Sequence, residues 1–217
     1  MKELFDRGEF VVSAEVGPPK GIHVDELVEE AKTYLKGVHA VNVTDNQSSV
    51  MRLGSLAMCK VLKDAGMDPI FQLACRDRNR IALESDLLSA AMLGIENILC
   101  LTGDHTKMGD HPQAKPVFDL DSVSLLHTVG LLESGKDLGG NELVGEPPKF
   151  AKGAVVSPCS DSVDALPSTL HVAVHFAFTI LGTAALAVYK TLGTCCDRAD
   201  SAGKVQITLT ALVTFIF

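Results

Sequence analysis

The sequence predicts an α/β chain whose parallel strands form part of a barrel, and three observations lead there. Short apolar runs recur along the chain, at residues 11–16, 40–43, 70–75, 98–101 and 154–156. The intervals between them carry helical apolar periodicity, and the first four units repeat about every thirty residues, the length a βαβ unit requires. Most of these runs end in polar residues: Glu15, Thr44, Thr102 and Ser157 stand at four ends, and Gln72 lies inside a fifth run. In a parallel α/β barrel such groups converge on the C-terminal face, where the chemistry is done. A doubly wound sheet would give the same alternation, but no GxGxxG follows any strand, so the dinucleotide fingerprint is missing. The pattern reads as an enzyme.

Each element has its own signal. The first run stops at Gly17-Pro18-Pro19, and residues 24–36 follow as a helix with Leu27, Val28, Ala31 and Leu35 on one face. The second run leads to a helix over 50–65, with Leu53, Leu56, Ala57, Val61 and Leu62 inward and Gly66 as the terminating residue. The third leads to a helix over 79–93 that ends at Gly94. After the fourth come a loop rich in Gly, Pro and His (105–116), a helix over 121–132, and a second loop (133–150) before the fifth run.

Bulk properties narrow the class. The chain has 217 residues and a formal charge of −8, which argues against a nucleic-acid surface, since that needs a basic stripe. Its six cysteines show neither a disulfide framework nor zinc spacing, and Cys75 and Cys100 read as small buried hydrophobes. Residues 1–10 lack the apolar segment of a signal peptide, so a cytoplasmic location is expected. Residues 1–165 carry charges throughout, whereas 166–189 contain no Asp, Glu, Lys or Arg.

Among candidate chemical groups Glu15 is the sharpest. A carboxylate at the end of an apolar strand is partly desolvated, which raises its pKa and suits a general acid; a salt-bridged carboxylate fits the segment equally well. Thr102-Gly103-Asp104 allows close backbone approach to a flat cofactor, with Asp104 as acceptor, though an ordinary turn has the same composition. Thr44 and Gln72 could orient a heterocycle or satisfy a loop. His105 and His111, beside Asp104 and Asp110, match no standard ligand spacing, and no metal site is expected. Lys107 and Lys115 could meet a phosphate. Arg76-Asp77-Arg78-Asn79-Arg80 reads as a solvated helix start.

Taken together, several stretches resemble the methylenetetrahydrofolate reductase family. They are Ser13-Ala14-Glu15-Val16-Gly17-Pro18-Pro19-Lys20, Asn42-Val43-Thr44-Asp45-Asn46 and Gln72-Leu73-Ala74-Cys75-Arg76-Asp77-Arg78-Asn79-Arg80. Leu93-Gly94-Ile95-Glu96-Asn97-Ile98, Leu101-Thr102-Gly103-Asp104-His105 and Ala154-Val155-Val156-Ser157-Pro158 continue the series. The form is similar to the short, acetogen-type bacterial enzymes. The resemblance implies a (β/α)₈ TIM barrel, of which residues 1–165 would supply the first five β/α units. It implies FAD across the C-terminal face, NADH or NADPH as hydride donor, and reduction of 5,10-methylenetetrahydrofolate to 5-methyltetrahydrofolate in one-carbon metabolism. On that reading Glu15 and Asp104 are catalytic, Glu15 protonating the folate as its five-membered ring opens. Thr44, Gln72, Thr102, Gly103, Asp104, His105, Lys115 and Ser157 would contact the flavin. Intact relatives imply a homo-oligomer and, for acetogen-type forms, an iron–sulfur partner subunit.

Two departures accompany the resemblance. Family members often carry histidine at the Gln72 position and arginine at the Thr102 position, so one flavin contact is lost, with Lys115 as a candidate replacement. Nothing in 166–217 matches the three βα units the family pattern supplies there. That segment reads as an aberrant, frameshifted tail in preference to a membrane helix or an alternative ending, so a truncated and inactive chain is expected. The competing functions are a non-catalytic, membrane-tethered barrel fragment, and another pterin-binding barrel such as a methyltransferase.

Overall fold

The structure is a computed structural model, and it describes residues 1–155 and 214–216. Parallel strands β1 (Ser13–Val16), β2 (Ala40–Val43), β3 (Pro69–Ala74), β4 (Asn97–Leu101) and β5 (Ala151–Val155) lie side by side in chain order. Strand β6 (Thr214–Ile216) pairs antiparallel with β5. This order lacks the reversal that defines a doubly wound sheet, and it places β1 at an edge of the described sheet. The helices are α1 (Lys2–Asp6), α2 (Asp25–Tyr34), α3 (Ser55–Asp64), α4 (Arg80–Met92) and α5 (Ser122–Glu133). The expected boundary at 165/166, Ser157 and all of the 166–217 tail except 214–216 fall on residues outside those described, and so does the basis for expecting an inactive chain.

Strand alternation sorts the side chains onto two faces. Val16, Val41, Val43, Phe71, Leu73, Ile98 and Cys100 pack against Leu27 and Ala31 of α2, Met58 and Leu62 of α3, Leu83 and Leu87 of α4, and Leu125 and Val129 of α5. Each fully buried side chain of this size stabilises the fold by roughly 1.5–3 kcal/mol. On the other face a smaller cluster of Ala40, Ile70 and Leu99 meets Met1 and Leu101. Glu15, Asn42 and Gln72 alternate with the core residues of their strands and therefore share this second face.

Helix ends follow local chemistry. The Asn79 side chain accepts from the Ala82 N–H at 3.0 Å and Asp121 from Ser124 at 2.7 Å, capping α4 and α5. Gly66 and Gly94 take φ of +85° and +73°, and the amides of Met67 and Ile95 reach back to the carbonyls of Leu62 and Ala90. That is the Schellman ending, which a left-handed residue allows.

Three expectations need correction. Helix α3 begins at Ser55, not at residue 50, and Ala57 is exposed while Met58 and Cys59 are buried. Residues 46–53 are used instead in a loop where Asn46, Ser48 and Ser49 adopt φ of +46°, +55° and +59°. Long-range bonds hold that loop: the Leu53 N–H donates to Pro19 O at 2.9 Å and the Met51 N–H to Asp110 at 3.1 Å. Strand β5 starts at Ala151, because Lys152 is buried in an ion pair with Glu133 at the end of α5. The run 76–80 is not a solvated helix start: Arg76 is 2 % exposed, and Arg78 pairs with the buried Asp45.

Candidate active site

The C-terminal ends of the parallel strands bring most of the expected residues to one edge of the sheet. Glu15 projects from β1 and is half-buried. Burial raises its pKa above the ordinary carboxylate value, and a hydrogen bond from the Gln72 side chain opposes that rise in part. Gln72 is 6 % exposed, two residues before the end of β3. A carboxyl that holds its proton to higher pH, on the sheet face away from the helices, can serve as a general acid.

Thr44 directly follows β2 and is 2 % exposed. Its backbone N–H donates to Val16 O at 3.2 Å, while its hydroxyl meets no hydrogen-bond partner among the described residues. A Cβ at Gly17 would stand 3.7 Å from that hydroxyl, so the two strand ends are in contact. An unsatisfied buried hydroxyl costs free energy unless something fills its hydrogen bond. A heterocycle with polar edges would do so, and in that respect the residues present fit a flavin.

After β4, Gly103 takes φ of +89°, and a Cβ there would stand 3.1 Å from the Cβ of Arg76. Only glycine suits both conditions. Thr102 is exposed; its hydroxyl accepts from the Ser122 N–H at 3.1 Å and lies 3.3 Å from the Ser122 hydroxyl, so it ties the strand end to the start of α5. The Asp104 carboxylate is exposed, and its backbone carbonyl accepts from the Ser49 hydroxyl at 2.9 Å and from Arg76 at 3.3 Å. An open cleft of about 520 Å³ lies beside this segment, lined by Thr102, Gly103, His105, Phe118 and Asp121 among others. The cleft sets the ring of Phe118 next to polar strand-end groups.

Two further expected residues lie in the loop after β4. His105 Nδ1 accepts from the Lys107 N–H at 3.1 Å, and its ring lies 6.3 Å from that of Phe118. Lys115 is exposed in the loop after β4. His111 contacts Asp110, whose carboxylate also receives Lys20 and the Met51 N–H. These donors, Lys20 foremost, hold the Asp110 carboxyl far below its ordinary value. Among the described residues no group of three His, Cys, Asp or Glu is placed to hold a metal ion.

Sequence reasoning missed Arg76 as a member of the site. Its pairing with the adjacent Asp77 is an ordinary charge pattern, and the carbonyls it also serves, those of Asn46 and Asp104, are far away in sequence. Cys59, Cys75 and Cys100 are buried free thiols, and burial pushes the Cys75 thiol up to about 12, so it is inert at neutral pH. Among the described residues no helix is long and apolar enough to cross a membrane.

The family comparison agrees with this geometry. The family model described as methylenetetrahydrofolate reductase matches residues 1–136, which is 136 of 217 residues. A comparison with curated proteins finds no match. The match spans β1 to β4, with Glu15 on β1 and Gln72 on β3, the loops that carry Thr44 and Asp104, and all of α5. The chain therefore belongs to the methylenetetrahydrofolate reductase family.

Proposed function

We propose that the chain reduces 5,10-methylenetetrahydrofolate to 5-methyltetrahydrofolate, with FAD as prosthetic group and NADH or NADPH as hydride donor. The observation that carries the reading is Glu15, a half-buried carboxyl at a parallel strand end whose proton affinity desolvation raises and Gln72 in part lowers. The sequential strand order supports a barrel as the complete fold. Thr44, Gln72, Thr102, Gly103, Asp104 and His105 are the described residues that would hold the flavin, with the exposed Lys115 as a candidate phosphate contact and Ser157 outside the described residues. When bound, the flavin supplies the hydride relay between nicotinamide and folate.

The remaining work falls to side chains. Glu15 gives its proton to a folate nitrogen as the five-membered ring opens, and Gln72 orients that carboxyl. Positive charge develops on the folate at that moment. The Asp104 carboxylate stabilises it, because an ion fixed in place needs no reorganisation. The Thr44 hydroxyl, which has no partner among the described residues, binds a polar ring edge.

The test is direct. The full chain, purified and incubated with FAD, should retain a flavin absorbance band after desalting and should oxidise NADH or NADPH with a quinone acceptor. It should then convert 5,10-methylenetetrahydrofolate under reducing conditions. Loss of all flavin on desalting, with no nicotinamide oxidation at saturating FAD, overturns the reading.

A further inference from the structure

Arg76 takes no part in the chemistry above, yet it stands at the junction of three loops. It sits in the 3₁₀ turn Cys75–Asp77 directly after β3 and is 2 % exposed. Its Nη1 donates to the backbone carbonyl of Asp104 at 3.3 Å, in the loop after β4. Its Nη2 donates to the backbone carbonyl of Asn46 at 3.2 Å, in the loop after β2. Nε and Nη2 also form a fork with the Asp77 carboxylate, at 2.9 and 2.7 Å.

Energetics explain why such an arrangement needs a guanidinium. A buried cation is costly unless paired and hydrogen-bonded. Burial alone would raise the Asp77 carboxyl, but hydrogen bonding and charge from Arg76, the charge of Arg78 and a bond from Asn46 outweigh it and hold Asp77 below its ordinary value. The ion pair is therefore intact at neutral pH. A planar fork with several donors can serve a carboxylate and two carbonyls together, whereas an ammonium is a single point of donation. The loop after β2 also carries backbone strain at Asn46, Ser48 and Ser49, and a conformation of that kind persists only where its surroundings hold it. Ser49 adds a second tie, its hydroxyl donating to the carbonyls of Asp104 and His105 at 2.9 and 3.1 Å. Gly103 leaves room for the Arg76 stem.

We propose that Arg76 is a positioning residue: its guanidinium clamps the loops after β2 and β4 together and so fixes where the Asp104 carboxylate stands. The catalytic part of this inference rests on the role given to Asp104 above; the clamp itself does not.

Hydrogen exchange on the full chain tests the clamp without activity. Arg76→Lys keeps the charge but cannot serve both carbonyls and Asp77 at once. Amides of Ser49, Val50, Met108 and Gly109, all hydrogen-bonded within the two loops, should exchange at least tenfold faster in that variant. Those of β3 and α4 should stay within twofold of the parent. Unchanged exchange in the two loops, or an equal rise across β3 and α4, overturns the clamp. The kinetic arm compares Arg76→Lys, Asp104→Asn and the double variant in folate turnover. The double variant should be no more than twofold slower than Asp104→Asn, because both remove the same placed charge. Losses that multiply overturn the link to Asp104. If the parent chain neither retains flavin nor turns over folate, the catalytic reading fails, and the exchange result still decides the clamp.

Discussion

The Glu15 carboxyl and the Gln72 amide are joined by a hydrogen bond although β2 runs between their strands. Two strand spacings amount to about 9–10 Å, so both long side chains must extend over β2 to meet. Asn42 is the β2 residue opposite Glu15, and its own amide turns to Ser13 at 3.4 Å. The carboxyl is thus held from one side and desolvated from the others. Its proton affinity is set by two opposed causes, burial first and the Gln72 bond second.

Replacing Glu15 by Gln removes the acid and keeps the shape. Folate reduction should fall by about 10²–10⁴-fold, the usual contribution of a positioned acid. Nicotinamide oxidation with an artificial acceptor should be nearly unchanged, because that half of the reaction uses no proton from Glu15. Stopped-flow measurement of the two halves separates them.

The same carboxyl makes stability depend on pH. Its folded-state pKa lies above the ordinary glutamate value that the unfolded chain has, so between those two values the folded chain binds more protons than the unfolded one. This contribution to stability is full below the unfolded value and is lost as pH rises through the folded value. Urea unfolding should show the parent losing stability relative to Glu15→Gln across that window, with no further divergence above it. Gln72→Leu removes the bond that favours ionisation, and it should move the window and the basic limb of folate turnover to higher pH.

Asp45 shows how much of the site rests on buried charge. Its carboxylate is wholly buried, accepts from the Ala74 N–H at 2.9 Å and pairs with Arg78 at 2.6 Å. It joins the end of β2, directly after Thr44, to the end of β3 at Ala74. Asp45→Ala strands the half-buried Arg78 and one backbone donor, and should cost about 3–5 kcal/mol in chemical denaturation. A loss below 1 kcal/mol would show that Asp86, the second partner of Arg78, suffices.

Much of this architecture was legible because its causes are local. Val41 and Val43, or Phe71 and Leu73, sit in short apolar runs bounded by turn residues, and Gly66 and Gly94 mark helix ends by their backbone freedom alone. The start of α3 was not legible. Val50 and Leu53 continue the helical apolar pattern backwards, and distant partners, Pro19 and Asp110, help to hold that stretch in a loop. Arg76 was misread for the same reason, since its carbonyl partners lie about thirty residues away on either side and leave no trace in composition. Lys152 hid the start of β5, as a lysine in a buried strand is tolerated only once Glu133 is beside it. Glu15, Thr44 and Gln72 were legible as strand-end polar groups; the bond between Glu15 and Gln72 was not, because register across β2 decides it.

Gly103 should tolerate no side chain. Alanine there must adopt φ of +89° and press against the Arg76 stem at 3.1 Å. Left-handed strain and the contact together should cost about 1–3 kcal/mol. Gly103→Ala should also weaken flavin retention more than it lowers the unfolding midpoint, whereas a substitution neutral in both would remove the close approach from consideration.

Thr44→Val separates what the protein needs from what a ligand needs. The buried hydroxyl has no partner among the described residues, and replacing it by a methyl of nearly the same volume removes a desolvated polar group. The variant should therefore match or exceed the parent in stability, by up to about 1–2 kcal/mol without FAD. With FAD present the order should reverse, because the parent alone can offer a hydrogen bond to the ring edge, and the ligand's stabilisation scales with its affinity. Thermal unfolding with and without FAD gives both signs in one experiment. If Thr44→Val destabilises the ligand-free chain by more than 1 kcal/mol, the hydroxyl has a partner inside the protein and its assignment to the flavin falls.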